Sequence, residues 1–205
     1  MKKKLLVVSI CAIIAIMAIA GSSLAWLKDE TKPVVNTFTE GKVDIDLYEH
    51  GYDATNNTLT NTEIRDNGNT YKMVPGDDLP KDPTVVVKAG SEPCYVFVEV
   101  VELNAVDTFL TYSVDTGVWK ELDATNYPNV YYMEITTVTS ADTSYNVLTG
   151  KKVTVNTSVE MSHMTALTEN TRPQLKFTAY AVQSAHVGGA EAAWKIIKPA
   201  ATTND

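Results

Sequence analysis

Residues 95–101 have the sequence Tyr-Val-Phe-Val-Glu-Val-Val, and residues 84–87 have the sequence Thr-Val-Val-Val. Both runs are rich in β-branched and aromatic residues, which are enriched in β-strands. Apolar residues occupy nearly both faces of each run, as expected for strands that are covered on both sides or lie inside a sandwich. These two segments predict the interior of an all-β domain.

Several other segments alternate apolar and polar residues, which is typical of a strand with one face in water. Val43, Ile45 and Leu47, for example, share one face of residues 42–47. The same pattern recurs at residues 152–161 and 175–181, and further strands are expected at residues 130–135 and 117–120. Polar, turn-rich stretches separate them at residues 52–70, 74–78, 89–93 and 139–151. The sequence therefore predicts a two-sheet antiparallel sandwich over residues 42–198.

A single short helix is expected near the C-terminus of this domain. Gly188 and Gly189 can end the preceding strand, and the Ala-Glu-Ala-Ala run that follows favours a helix ending at Trp194. Residues 199–205 are predicted to form a disordered tail.

The N-terminus has the three-part layout of a secretory signal peptide. Residues 2–4 are lysines, residues 5–20 are apolar, and residues 21–25 are mostly small. We expect a signal-peptide helix and cleavage between Ala25 and Trp26. The alternative, an uncleaved anchor, is disfavoured because the 16 apolar residues span only ~24 Å as a helix, against a hydrocarbon core of ~30 Å. The protein is therefore predicted to be secreted, extracellular or at the cell surface, and to meet the membrane only during export.

Charge and cysteine content narrow the function further. The chain carries 17 basic and 25 acidic residues, a net charge of −8. Without residues 1–25 it keeps 14 basic and 25 acidic residues, a net charge of −11, which repels nucleic acid and anionic lipid. Cys94 is then the sole thiol, so it cannot form an internal disulfide. The simplest interpretation is a small buried apolar residue, and an intermolecular bridge is the alternative.

No motif for catalysis or for a cofactor is present. Histidine occurs at three separated positions: His50, His163 and His186. No His-Glu-x-x-His, Cys-x-x-Cys, Gly-x-Ser-x-Gly or phosphate-cradling glycine-rich loop occurs. Three nearby carboxylates would suit calcium by their chemistry: Asp77, Asp78 and Asp82. Solvated turn acids are the simpler interpretation. The sequence thus supports neither zinc nor calcium, assigns no catalytic or metal-binding residue, and favours a protein that is not an enzyme.

Residues 26–41 are predicted to form an extended arm. Pro33 cannot donate a hydrogen bond to a sheet, so it suits an edge or a connection. The apolar residues of the arm need burial, either on their own domain or on a neighbour, and four of them stand out: Trp26, Leu27, Val34 and Val35.

Five stretches carry a set of motifs that extends to Trp194. Residues 24–29 (Leu-Ala-Trp-Leu-Lys-Asp) and residues 35–45 (Val-Asn-Thr-Phe-Thr-Glu-Gly-Lys-Val-Asp-Ile) lie at the start of the predicted mature protein. A turn of Pro75, Gly76 and Asp77 follows, and the closing stretches are residues 181–183 and 191–194. Together these stretches resemble the TasA/camelysin family, whose export uses a dedicated signal peptidase of the SipW type.

This resemblance implies a jelly-roll sandwich and, as in the matrix members, polymerisation into extracellular biofilm fibres. The N-terminal arm, residues 26–36, would complete the sheet of the next subunit by donor-strand exchange. The implied partners are other copies of the chain, a SipW-type signal peptidase and an accessory matrix protein. Members named camelysin are classed as surface metalloproteases, so a cell-surface metallo-endopeptidase is the alternative. A monomeric adhesin, with the arm folded back on its own domain, is a third hypothesis.

Overall fold

The computed structural model describes residues 41–65 and 68–198 of the 205-residue chain. Within these residues the protein is mostly β-structure, which confirms the all-β prediction. The strands are β1 (Ile45–Asp53), β2 (Thr58–Ile64), β3 (Asp78–Pro80), β4 (Thr84–Val87), β5 (Cys94–Leu103), β6 (Leu110–Thr111), β7 (Lys120–Asp123), β8 (Tyr127–Ile135), β9 (Thr143–Asn146), β10 (Lys152–Val155) and β11 (Gln174–Gln183). The helices are α1 (Val106–Phe109), α2 (Met161–Thr165) and α3 (Ala190–Ile197), and single 3₁₀ turns lie at Thr149–Lys151 and Glu169–Thr171.

The described part of the chain forms three antiparallel sheets. The first sheet has the strand order β2-β1-β4-β9, and the second has the order β11-β5-β8-β7. Their facing sides meet in one core, to which β4 contributes Val85 and Val87 and β5 contributes Val96 and Val98. Trp119 is fully buried in this core, and its indole N–H donates to the carbonyl oxygen of Asn146 at 2.8 Å. The sandwich is thus held by apolar packing between its sheets.

The third sheet, with the order β3-β10-β6, was not predicted from the sequence. It covers a second, smaller core formed by Leu79, Leu148, Val153 and Val155. Strands β3 and β6 have three and two residues, which is too short for any alternation of apolar and polar residues to show. The domain therefore contains one sheet more than the two that were expected.

Strand β5 is covered on both faces, as its composition predicts. Val96 and Val98 face the first sheet, whereas Phe97 packs on the opposite side with Ala193 and Trp194 of α3. The predicted C-terminal helix is present, although it starts after Gly189, at Ala190, and continues to Ile197. The prediction of a single helix was wrong, because α1 and α2 are also present. Gly189 has φ +104°, a backbone conformation that glycine adopts without steric cost.

Several predicted strand boundaries were wrong. Strand β10 ends at Val155 and does not continue to residue 161. Asn156 follows it, and its side-chain amide donates to the carbonyl oxygens of Asp107 and Thr108 at 3.0 Å each, which turns the chain toward α1. Residues 117–119 lie outside any strand, and β7 begins at Lys120.

Candidate functional site

Strands β1 and β11 border an open seam between the two large sheets. Residues Ile45–Tyr48 of β1 pair with β4 on one side, whereas β2 pairs only with the later part of β1, from Glu49 to Asp53. Strand β11 pairs with β5 along all ten of its residues. Among residues 41–65 and 68–198, no strand pairs with its other edge. Strands β1 and β11 touch each other but belong to different sheets.

The side chains along this seam are apolar and only half-buried. All of them pack against the main core and remain partly exposed: Val43, Ile45 and Leu47 before and within β1, and Leu175, Phe177, Ala179 and Ala181 on β11. Every second residue is involved on each strand, as the period of a β-strand requires. Considering residues 41–65 and 68–198 alone, the seam therefore combines unpaired backbone groups with a row of incompletely covered apolar side chains.

The predicted arm and signal-cleavage residues lie outside the described residues. This applies to the cleavage pair, Ala25 and Trp26, and to the remaining arm residues, Leu27, Val34 and Val35. The description begins at Gly41, four residues before β1. The tail, residues 199–205, is likewise outside it.

The Pro75-Gly76-Asp77 segment forms a tight turn. The Asp77 N–H donates to the carbonyl oxygen of Val74 at 3.0 Å, and Gly76 has φ +88°. Proline at the second position and a positive φ at the third are the features of a type II turn. The Gly76 N–H and the Asp77 carbonyl both bond to Val155, at 2.9 and 2.8 Å. The turn thus anchors the third sheet and brings no ligand-binding group together.

Cys94 is fully buried at the start of β5, where it faces the main core. Burial raises the pKa of its thiol to about 11. A buried, protonated thiol is a poor nucleophile and cannot reach another subunit in the folded state. The structure therefore agrees with the interpretation of Cys94 as a small core residue.

The histidines do not converge. His163 and His186 are exposed and belong to separate parts of the chain, within α2 and after β11. His50 is bound to Asp82 instead, with 2.7 Å between Nδ1 and Oδ2, and the Asp82 Oδ1 accepts the His50 N–H at 2.9 Å. No group of three or more His, Cys, Asp or Glu residues that could hold a metal occurs within the described part of the chain.

Asp82 corrects one expectation. Asp77 and Asp78 are exposed, as predicted for turn acids, but Asp82 is only 3% exposed. It is buried because it caps the bulge of β1 at His50 with both carboxylate oxygens. Its neighbour Lys81 is also buried. This polar cluster was not predicted from the sequence, since a Lys-Asp-Pro segment between two strands ordinarily indicates an exposed turn.

Comparison of the chain with protein-family models, with curated proteins and with solved structures found no match. Within the described residues, no helix has the length and apolar character needed to cross a membrane. The residues and geometry of this chain therefore carry any inference about its function, and the likeness to the TasA/camelysin family is a hypothesis based on its motifs.

Proposed function

We propose that the protein is a secreted structural subunit of extracellular biofilm-matrix fibres, which polymerises by N-terminal donor-strand exchange. The observation that supports this proposal most directly is the open seam between β1 and β11. In the proposed fibre, residues 26–36 of one subunit pair with this seam on the next subunit. The sandwich is then a jelly roll completed by its neighbour, as the family resemblance implies.

The backbone of the seam suits an added strand. An unpaired strand edge carries a row of free N–H and C=O groups, which pair readily with an extended segment of another chain. Eleven extended residues of the arm cover about 36 Å, and the ten residues of β11 cover about 33 Å. The arm therefore matches the length of the edge that it would complete.

The side chains of the seam supply the second part of the argument. In β-strand addition the backbone gives affinity, and pockets for alternate side chains fix the register. Leu175, Phe177 and Ala179 are half-buried residues of one core-facing row. Apolar arm residues such as Trp26 and Val34 would complete the burial of this row. A head-to-tail contact of this kind generates a filament when the rotation between successive subunits does not close into a ring.

The alternative, a cell-surface metallo-endopeptidase, gains no support from the geometry. Its candidate histidines, His50, His163 and His186, lie apart, and His50 is occupied by Asp82.

A monomeric adhesin with a self-folded arm uses the same seam within one chain, and assembly experiments distinguish it from a fibre subunit. The proposal includes two further partners: a SipW-type signal peptidase, which acts during export, and an accessory matrix protein.

Electron microscopy of two purified chains tests the proposal. The first begins at Trp26, and the second begins at Thr37 and lacks the arm; circular dichroism confirms that both are folded. We expect filaments from the first chain and none from the second. Filaments from both would show that the arm is dispensable, and a folded chain from Trp26 that stays monomeric would support the self-folded arm.

A further inference from the structure

Lys81 is a buried cation in a largely aromatic pocket near the β1 bulge. Its side chain is 8% exposed, and its Nζ lies 2.7 Å from Oε1 and 3.0 Å from Oε2 of Glu49. The rings of Tyr71 and Phe177 lie 5.4 and 5.3 Å from Nζ. Glu49 is itself only 14% exposed. A lysine and a carboxylate are thus held together away from bulk water.

The Glu49 carboxylate also contacts the side-chain amide of Asn69. The Asn69 Nδ2 lies 3.4 Å from Glu49 Oε2 and donates to the carbonyl oxygen of His50 at 2.9 Å. The Asn69 Oδ1 accepts the N–H of Tyr52 at 2.9 Å. The carboxamide is therefore fixed at both ends, and one carboxylate oxygen contacts both the lysine amine and the asparagine amide.

Tyr71 closes the pocket, and its hydroxyl is buried without a hydrogen-bond partner among the described residues. Burial, followed by the charge of Glu49, raises the pKa of this phenol well above its ordinary value, while the neighbouring Asn69 side chain opposes the shift. Tyr71 is therefore a neutral O–H beside the carboxamide. A buried hydroxyl with no partner is uncommon in a folded domain and calls for a role.

We propose that Lys81 and Asn69 form an intramolecular isopeptide bond, with Glu49 as the proton carrier. The Lys81 Nζ lone pair attacks Cγ of Asn69, and the Cγ–Nδ2 bond then breaks. The nitrogen of the carboxamide leaves as ammonia, and the product is a secondary amide between the two side chains. The reaction needs no oxidant, reductant or cofactor, because an amide is exchanged for an amide.

Each proton in this reaction has a place to go. Glu49 accepts a proton from the Lys81 ammonium along the 2.7 Å contact, which frees the lone pair. The same carboxyl group faces Asn69 Nδ2 and can return the proton to the departing nitrogen. The second proton that Nζ loses as the amide forms follows the same route, so that the released ammonia becomes ammonium. The Tyr52 N–H already donates to Asn69 Oδ1, so it stabilises the negative charge that develops on this oxygen. Glu49 thus acts first as base and then as acid.

Intact-mass spectrometry of the purified chain tests the proposal. Bond formation removes one ammonia, so the measured mass should be about 17 Da below the sequence mass. A mass equal to the sequence mass overturns the proposal. A loss of about 18 Da, which corresponds to water, would indicate condensation between Lys81 and Glu49 and also overturns it.

Two variants separate this bond from other losses of ammonia. The Asn67-Gly68 step can lose ammonia by closing to a succinimide, which gives the same mass change without any lysine. Lys81→Arg keeps the positive charge beside Glu49 but cannot form the bond, so it should show the full sequence mass. Glu49→Gln removes the proton carrier and should do the same, with circular dichroism confirming the fold. A mass loss that survives Lys81→Arg contradicts the proposal.

Tryptic digestion locates the bond without relying on any variant. Cleavage after Arg65 and Lys72 releases residues 66–72, and a modified Lys81 is not cleaved. We expect residues 66–72 to appear linked to residues 73–88, with fragment ions that place the link on Asn69 and Lys81. Recovery of residues 66–72 and 73–81 only as separate peptides refutes the bond.

Discussion

The indole ring of Trp194 lies 5.3 Å from the phenyl ring of Phe97, with 44° between the two planes. Trp194 also meets the ring of Tyr180 edge-on at 5.5 Å. These contacts attach α3 to the outer face of the second sheet. Trp194→Ala should lower the free energy of unfolding by about 3–5 kcal/mol, because a large buried aromatic side chain is lost. Urea denaturation followed by circular dichroism measures the loss.

A matched control lies on the same helix. Ile196 is 59% exposed, so Ile196→Ala should change the free energy of unfolding by less than about 0.5 kcal/mol. If both substitutions cost the same, helix propensity, and not the packing of Trp194 on Phe97, determines the stability of α3.

Cys94 should make the stability of the domain depend on pH in the alkaline range. Burial raises the pKa of its thiol to about 11, against an ordinary value of 9.0. Between these values only the unfolded chain loses the proton, so the free energy of unfolding should fall as pH rises, by up to ~1.4 kcal/mol per pH unit. Denaturation curves at pH values of about 8 to 11, which bracket the shift in the pKa, would show this fall. Cys94→Ala should have a shallower slope, and an identical slope in both proteins would contradict the assignment.

The Pro75-Gly76-Asp77 turn should tolerate side chains poorly at its third position. Gly76 has φ +88°, and an added Cβ would lie 3.4 Å from Cγ2 of Thr157. Gly76→Ala should therefore cost about 1 kcal/mol, chiefly through backbone strain. Thermal denaturation measures the change. Gly68→Ala is the control, because a Cβ at Gly68 meets nothing within 4 Å, and it should be close to neutral.

The arm should contribute only one face to the seam. Side chains alternate along a strand, so Trp26 and Val34 share one face, and Leu27 and Val35 share the other. Of the two substitutions Val34→Asp and Val35→Asp, we expect one to abolish filaments and the other to leave them largely intact. Thr37→Asp, just beyond the donated residues 26–36, adds the same charge as a control. Equal effects of Val34→Asp and Val35→Asp on electron micrographs would argue against a one-faced strand.

The strands predicted best are those whose pattern of apolar and polar residues reflects which of their faces are buried. Strands β4 and β5 are apolar on both faces because a neighbouring layer covers each side, and β11 alternates because its two faces differ. Strands β2 and β9 were missed, since both lie at sheet edges and expose threonine, serine and asparagine side chains to water. Hydrophobic periodicity cannot detect a strand that buries little.

The polar cluster around Lys81 could not be predicted for a different reason. Lys81 and Glu49 are 32 positions apart, and their contact depends on how β1 passes the connection between β3 and β4. Charged residues in a short connection are usually solvated. Only the three-dimensional fold shows that this pair lies beneath Tyr71 and Phe177.

The position of α3 also limits how the proposed fibre could grow. A bare sheet can add neighbours at its edges or stack face to face, and stacking is the route by which flat sheets thicken into laminated bundles. Because α3 occupies the outer face of the second sheet, that face is closed to stacking, while no strand of residues 41–65 and 68–198 pairs with the outer edge of β11. In the proposed fibre, addition at this edge would lengthen the assembly without layering it through the face that α3 covers, which favours a thin filament.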